Sequence, residues 1–375
     1  MDAHASKVPG VLRSELVLWI GGATTILFLL FGERWLADLS RLWWFALLFA
    51  WLFGVMLWLA FGVVRHADGL TVLLGEPYGT LVLTLAVIGI EVTMISAVML
   101  TGADNPTLGR DAMFAVLMIV LNGMVGVTLL LGGLRHHEQV YNLQGASAYL
   151  GVIVPLAVLC LVLPRFTLSA PGGQVSTLMA AFLVPVSIGL YAVFLAIQTI
   201  RHSDYFKRPV EPGGADDDED HHAAAVRSVP YHAVFLILTM LPVVLLAKKL
   251  AILVDYGIET GGAPPALGGF IVATLVLAPE GLGAVKAALA NRLQRTVNIA
   301  LGSALSTIGL TIPAVLVISL TTGATVELGL EPDQIVILML TLLVSVVNFA
   351  GGRTNVLQGA VHVILLLAYV VLIFD

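Results

Sequence analysis

Charge is scarce in this sequence. Of 375 residues, 11% are charged and 59% are hydrophobic, against about 25% charged in an average soluble domain. That shortage excludes a soluble enzyme, a disordered chain and a nucleic-acid binder. The net charge of −6 is mild, comes from two loop clusters and implies no polyanion partner. Cysteine is nearly absent: Cys160 stands alone, which excludes an internal disulfide and a thiolate metal cage. It falls in the apolar run Val152–Leu163, where a small buried or lipid-facing residue is expected. Phosphate-cradling glycine loops, zinc motifs and nucleophile elbows are missing, which argues against ATP as the energy source. No cofactor is indicated, and the polar stretches leave no room for a large soluble domain.

What is present is long apolar runs. A membrane-crossing helix needs about 20 apolar residues. Eleven candidates follow one another: Leu16–Gly32, Leu42–Val64, Tyr78–Leu100, Asp111–Leu134, Ala148–Leu163, Val175–Ile200, Tyr231–Val254, Ala266–Ala290, Val297–Leu320, Gln334–Ala350 and Val356–Phe374. The runs are continuous and do not alternate, so a β-barrel is excluded. Glu33 and Arg34 follow the first run in place of a small-residue cleavage site, so it reads as a span and not a removed signal. The fold class expected is all-α: a polytopic membrane protein whose solvent and main partner is the lipid bilayer.

Positive residues set the orientation. With the N-terminus inside, Lys7, Arg13, Arg65, Arg135, Arg201, Lys207, Arg208, Arg227, Arg292, Arg295 and Arg353 fall in the cytoplasm. Arg34, Arg41, Arg110, Arg165, Lys248 and Lys249 fall outside or near that face, which favours N-terminus in and C-terminus out of the cell (inner) membrane. Lys286 lies within a span and can snorkel from its helix end. Trp44, Trp51 and Trp58 share one face of the second helix. That stripe reads as lipid-facing at the periphery, with core packing as the alternative.

The longest polar segment, 201–230, holds Pro209, Pro212, Gly213, Gly214, the acidic run Asp216–Asp220, His221 and His222. It reads as a solvated cytoplasmic linker, with cation sensing as the alternative. Five runs precede it after the first, and five follow. A tail and peripheral helix (1–41), one five-helix repeat (42–200), the linker and a second five-helix repeat (231–375) make up the expected organisation. Tyr78–Leu100 and Ala266–Ala290 match best. Each carries one central glutamate, Glu91 or Glu280, twelve residues after a glycine, Gly79 or Gly268. The next helix opens on Asp111 in one half and near Asn298 in the other. Five helices is odd, so the second repeat enters from the opposite face. Such inverted repeats place transport sites near the bilayer midplane.

An acidic side chain at a helix centre costs roughly 2.5–3.5 kcal/mol even on the lenient insertion scale, so it faces a cavity or a partner. Glu91 and Glu280, in matching places, can meet at the pseudo-two-fold axis. Two carboxylates offer hard oxygen ligands for Ca²⁺, Mn²⁺ or Na⁺. One divalent cation or two protons neutralise the pair, and competition between them is a mechanism of cation/proton exchange. The alternative is that each glutamate bonds a neighbouring helix and only fixes packing. Pro279 and Gly281 flank Glu280, and Gly89 precedes Glu91. They should break the helices and free carbonyls as ligands, or else only kink them. Ser303, Ser306 and Thr307 share a helix face and supply hydroxyls, or else only close packing. Thr84, Asp111, Asn122 and Asn298 are accessory polar candidates, with Asp111 alternatively an interfacial residue at a helix start.

The stretches Glu76-Pro-Tyr-Gly-Thr-Leu-Val-Leu-Thr-Leu-Ala-Val-Ile-Gly-Ile-Glu91-Val, Pro106-Thr-Leu-Gly-Arg110-Asp111, Leu130-Leu-Leu-Gly-Gly133, Pro279-Glu280-Gly281 and Asn298-Ile-Ala-Leu-Gly-Ser303-Ala resemble the calcium/cation antiporter superfamily. The likeness is to its proton-coupled calcium exchangers, and within them to the bacterial ChaA-like branch. It covers most of the chain from about Leu42. It implies a peripheral first helix plus two five-helix halves, with Glu91 and Glu280 as cation and proton sites. It implies calcium/proton exchange, with sodium/proton and potassium/proton exchange also credited to this branch. Many calcium/proton exchangers carry an asparagine beside each glutamate. Val87-Ile-Gly-Ile-Glu91 and Leu277-Ala-Pro-Glu280 have none, which bears on cation selectivity more than on antiport. An intramembrane hydrolase using paired acids and an uncoupled channel are the competing readings.

Overall fold

The computed structural model describes residues 10–75, 78–99, 107–209, 227–323 and 325–375. The acidic run Asp216–Asp220 with His221 and His222 lies outside the described residues, as does Lys7. Among the described residues eleven long helices follow in order, one at each apolar run. They are α1 (Leu16–Leu36), α2 (Leu42–Leu74), α3 (Tyr78–Met99), α4 (Gly109–His136), α5 (Leu143–Phe166) and α6 (Thr177–Arg201). After the linker come α7 (Val229–Gly261), α8 (Ala266–Leu289), α9 (Leu293–Thr322), α10 (Pro332–Asn348) and α11 (Val356–Phe374). By length and composition nine of these can cross a membrane, and the Thr84–Ser96 stretch of α3 and α10 are shorter apolar helices. The chain is an all-α polytopic membrane protein. Gln139–Val140 pairs antiparallel with Arg353–Thr354 in a two-residue ladder.

The described residues fall into two compact units. One takes the chain up to Ile90 together with α7 up to Leu253. Within it α1 lies along α2, where Leu48, Leu52, Met56, Leu59, Ala60 and Val63 recur at helical spacing and are fully buried. The tryptophan stripe is divided, not uniformly turned to lipid. Trp51 donates its indole N–H to Thr24 Oγ1 (3.2 Å), and Trp44 donates to the Trp35 carbonyl (3.0 Å). Phe28 stands edge-on to both Trp35 and Trp51. Only Trp58, beyond this aromatic cluster, is 44% exposed. The reason is that α1 covers the first turns of that face and gives the indole N–H groups acceptors they lack in lipid.

The second unit takes Glu91–Pro209 and Val254–Asp375. Its most buried helices are α4 and α9. Apolar and small residues dominate both, and Arg110, Asp111, Asn122 and Gln294, the large polar ones buried in them, are hydrogen-bonded. Each is interrupted by a π-helical turn, Ile119–Met124 in α4 and Thr307–Thr311 in α9. Around them α5 is capped by Asn142, α6 by Ser176, and α11 by a capping box of Asn355 and Gln358. Outer faces of α10 and α11 leave Val336, Leu343, Leu357 and Leu367 more than half exposed, as lipid-solvated helices do.

Glycines set the closest approach, between α4 and α11. A Cβ at Gly359 would stand 2.3 Å from the Leu130 nitrogen, and one at Gly126 would stand 2.8 Å from the Val363 nitrogen. The obstacle is backbone, which cannot swing aside. Gly359→Ala should therefore lower stability by about 3 kcal/mol, the upper end for overpacking. Gly151→Ala, with open space around it, should instead be neutral or stabilising by up to about 1 kcal/mol. Thermal unfolding of the two variants in detergent checks this, and equal melting temperatures would contradict the packing argument.

Candidate functional site

Glu91 sits on α3 with 4% of its surface exposed. The Thr307 hydroxyl, at the start of the α9 π-turn, lies 3.2 Å from Glu91 Oε2. The same hydroxyl is 3.1 Å from the Ser303 carbonyl, which also accepts from Ser306 Oγ at 2.9 Å. Thr311, one turn further on, is within electrostatic reach of the Glu91 carboxyl but outside hydrogen-bond geometry. Glu91 Oε1 makes no hydrogen bond among the described residues. The charge of Glu280, on α8, is felt at the Glu91 carboxyl. Glu280 itself is half-buried. On α8 the next residue, Gly281, faces the end of the α4 π-turn, with Met124 Cε 3.8 Å from the position of a Cβ.

Glu91, Ser303, Ser306 and Thr307 are thus drawn into one buried polar cluster, with Glu280 acting on it from α8 by its charge alone. Thr311 belongs with them and was not singled out from sequence. Its signal was the four-residue step from Thr307, which repeats the face one turn on. The π-turn matters here because it widens the helix at the point where Thr307 and Thr311 are presented. Single π-turns inside α-helices recur at functional positions.

Other candidates are engaged elsewhere. Asp111 is held by Arg110 Nε at 2.9 Å and by Thr107 Oγ1 at 3.1 Å. It lies in the first turn of its helix and lines a cavity of about 190 Å³ with Gln334 and Tyr369, which agrees with the helix-start alternative. Asn122 donates to Thr341 Oγ1 (2.8 Å), and its Oδ1 is 3.2 Å from His362 Nδ1. Asn298 donates to the Phe206 carbonyl (2.7 Å) and accepts from Gln294 (2.9 Å), tying α9 to the end of the first half. Thr84 and Gly89 precede Glu91 on α3. Gly89 makes room for Met240 of α7, whose Cε would be 2.8 Å from a Cβ there.

The expected break at Pro279 is absent: α8 runs unbroken from Ala266 to Leu289 with Pro279 inside it. The neighbouring helices hold it in line, since Pro279 is buried. Proline still has no N–H for the Leu275 carbonyl, so one backbone oxygen is released without a break. The helix α3 likewise continues through Gly89. Cys160 is buried against Ser187 and lies apart from the acids' contacts.

Comparison with known proteins follows this geometry. The sequence profile of the sodium/calcium exchanger protein family matches residues 44–200 and 231–374. The sodium-potassium/proton antiporter ChaA of Escherichia coli (strain K12) is 42% identical over 315 residues, which cover 84% of this chain and 85% of that protein. The putative ionic transporter y4hA of Sinorhizobium fredii is 42% identical over 324 residues, 85% of this chain and 86% of its own. Among solved structures, native YfkE superposes with a TM-score of 0.72 at 18% identity, covering 96% of this chain and 99% of its own. The H+/Ca2+ exchanger CAX superposes with a TM-score of 0.66 at 12% identity, covering 96% and 88%. At such identities the structures speak for the fold, and the profile and sequence relatives for the lineage: the chain belongs to the sodium/calcium exchanger family.

Proposed function

We propose that the chain is a secondary cation/proton antiporter whose Glu91 and Glu280 hold either a cation, Ca²⁺ first, or protons. It is a transporter and not an enzyme. The observation that carries the reading is a buried carboxylate, Glu91, with a second carboxylate, Glu280, acting on it and a hydroxyl, Thr307, on one of its oxygens. Two acids that act on one another in low dielectric are costly to leave both ionised. A cation between them or protons upon them are alternative ways to neutralise the pair, and exchange follows from that competition.

The Thr307 hydroxyl supports the switch. It owns one proton and has two acceptors, Glu91 Oε2 and the Ser303 carbonyl. An ionised Glu91 draws that proton toward itself. A protonated Glu91 donates to Thr307 Oγ1 and leaves the Thr307 proton for the carbonyl. Glu91 Oε1 is the oxygen available to a cation, and Thr307, Thr311, Ser303, Ser306 and the Leu275 carbonyl freed by Pro279 would complete its shell; Gly89, inside a continuous helix, frees none.

An inverted repeat of residues 42–200 and 231–375 supports a midplane site. The reading pairs α2 with α7, each 33 residues long, while π-turns fall in α4, α5, α6 and α9 and do not follow the pairing. The compact units are a different division, since α2 and most of α7 belong to the same one. The distribution of lysine and arginine supports a cell-membrane location with the N-terminus cytoplasmic and the C-terminus outside, and residues 1–41 as a tail and peripheral helix.

Na⁺ or K⁺ in place of Ca²⁺ is the second reading. It is favoured by the printed activity of a relative 42% identical, a sodium-potassium/proton antiporter, and by the missing asparagines beside the two glutamates. Proton flux into vesicles carrying the purified chain, driven by Ca²⁺, Na⁺ or K⁺ in turn, separates the two. Current without proton coupling would mark a channel and end the antiport reading.

In the same vesicles Glu91→Gln and Glu280→Gln should each cut cation-driven proton flux at least about tenfold, as loss of a charge-assisted contact of about 1.5–3 kcal/mol requires. Robust flux in both variants would remove these residues from the site. Thr307→Val should raise the half-saturating cation concentration about fivefold, from a hydrogen bond of about 1 kcal/mol, with Thr307→Ser restoring it. An unchanged half-saturation in Thr307→Val would show that the hydroxyl is no ligand.

A further inference from the structure

A second polar cluster lies far along the chain from the paired acids, within the first compact unit. Glu15 stands at the N-terminus of α1 and is 1% exposed. Its carboxylate takes a short contact from the Arg65 guanidinium and another from the Tyr231 hydroxyl. His66 Nε2 lies 3.0 Å from Glu15 Oε2. On the other side of the same ring, His66 Nδ1 is 3.2 Å from His232 Nδ1. Residues from α1, α2 and α7 thus meet through one carboxylate and two imidazoles. The fit is close: a Cβ at Gly69 would stand 2.6 Å from the His232 ring, and His66 stacks on Phe235 with centroids 5.8 Å apart.

Counting hydrogens shows what this pair can hold. Two neutral imidazoles carry two N–H groups between four nitrogens. Only one hydrogen fits between the facing Nδ1 atoms. The other sits either on His66 Nε2, toward Glu15, or on His232 Nε2, which is buried without a hydrogen-bond partner. One added proton fills both outer nitrogens and leaves the Nδ1–H–Nδ1 bond intact. A second added proton would set two N–H groups against each other and part the rings. The cluster therefore has room for one extra proton.

Burial of the rings opposes that load, and the surrounding charges divide over it. Glu15 favours a cationic pair. Arg65, 3.1 Å from His66 Nε2, and Arg227, stacked 4.6 Å over the Tyr231 ring, oppose it. Arg13 on the turn before α1 and Asp68 on α2 are exposed. Burial opposes ionisation of Glu15, but the Tyr231 hydroxyl, Arg65 and His66 outweigh it and hold the carboxyl below its ordinary value. Glu15 is thus a standing anion, and the loaded pair sits beside it.

We propose that His66 and His232 form a second proton-binding site, separate from Glu91 and Glu280, which takes one proton beside Glu15 and in doing so locks α2 to α7. The charged N–H···N bond of the loaded pair is stronger than its neutral form. Acidity on this face therefore locks the two helices, and rising pH releases them. The proposal rests on the antiport reading and on the orientation drawn from lysine and arginine, under which this is the cytoplasmic face. An exchanger that exports cations brings protons inward, and a lock set by those protons limits its own acid load.

The test uses the full chain in vesicles, with pH on the cluster's face lowered from the ordinary imidazole value of about 6.5, because burial and the two arginines move loading to the acid side of it. Wild type should lose transport toward acid. His66→Gln and His232→Gln, which cannot hold the extra proton, should keep transport there and move the acid limb down by about one pH unit or more. Glu15→Gln, which removes the anion but not the pair, should also move the limb to lower pH, by less. Nitrogen NMR of the histidines in micelles reads the site without transport. Wild type should show two rings titrating as a coupled pair with uptake of one proton, and His66→Gln should return His232 to an independent titration. An unmoved acid limb in both histidine variants, or two rings that titrate independently in wild type, would overturn the proposal. A wild type that moves no cation at all would instead end the antiport reading, while the NMR still decides the proton site.

Discussion

A carboxylate buried among apolar helices must be compensated, and most of what is distinctive in this chain follows from having two. Hydrocarbon cannot solvate Glu91 or Glu280, and the local structure supplies what water would. A hydroxyl lies on one oxygen of Glu91, a second hydroxyl stands nearby, and Glu280 acts from the adjacent α8. The arrangement is incomplete by design of its chemistry. One Glu91 oxygen has no hydrogen-bond partner, and the Thr307 proton is contested between carboxylate and carbonyl. A site satisfied in every respect would hold its occupant permanently. In the proposed antiport, one short of a charge and a ligand accepts a cation or a proton and can release either.

The π-turns are where backbone geometry serves this need. In α9 the turn Thr307–Thr311 brings two threonines toward Glu91. Its counterpart in α4, Ile119–Met124, holds Asn122, but that amide is occupied by Thr341 and the side of His362. The two π-turns therefore differ in how their side chains are used. That asymmetry suits a transporter whose two acids have different surroundings, Glu91 deeply buried and Glu280 half-buried. Tight glycine contacts between α4 and α11 give the second unit the rigidity on which such geometry depends.

Several residues were legible by type and misleading by place. Asp111, Asn122 and Asn298 are polar residues in or beside membrane helices, which is why each read as a candidate ligand. Each has a nearer partner: Arg110 next in sequence, Thr341 from α10, and the carbonyl of Phe206. Periodicity cannot reveal these pairings, because they join segments up to 219 residues apart. The tryptophans of α2 show the same limit. Their spacing put them on one face, but only the presence of α1 decided that Trp44 and Trp51 find acceptors while Trp58 stays exposed. The buried histidine pair with Glu15 gave no sequence signal, since its members lie at positions 15, 66 and 232.

The sequence by itself determined the class of molecule. Charge is too sparse and apolar runs too long for any solvent but lipid, and hydrophobic transfer is additive along a chain. It also marked the two glutamates, because a charge in the middle of an apolar run is costly wherever the helix lies. Only the tertiary structure decided which polar atoms face those acids, that α8 stays continuous through Pro279, and which asparagines are spent on holding helices together. Those outcomes depend on directions and distances of a few ångströms between distant segments, and hydrogen bonds are short and directional where hydrophobicity is neither.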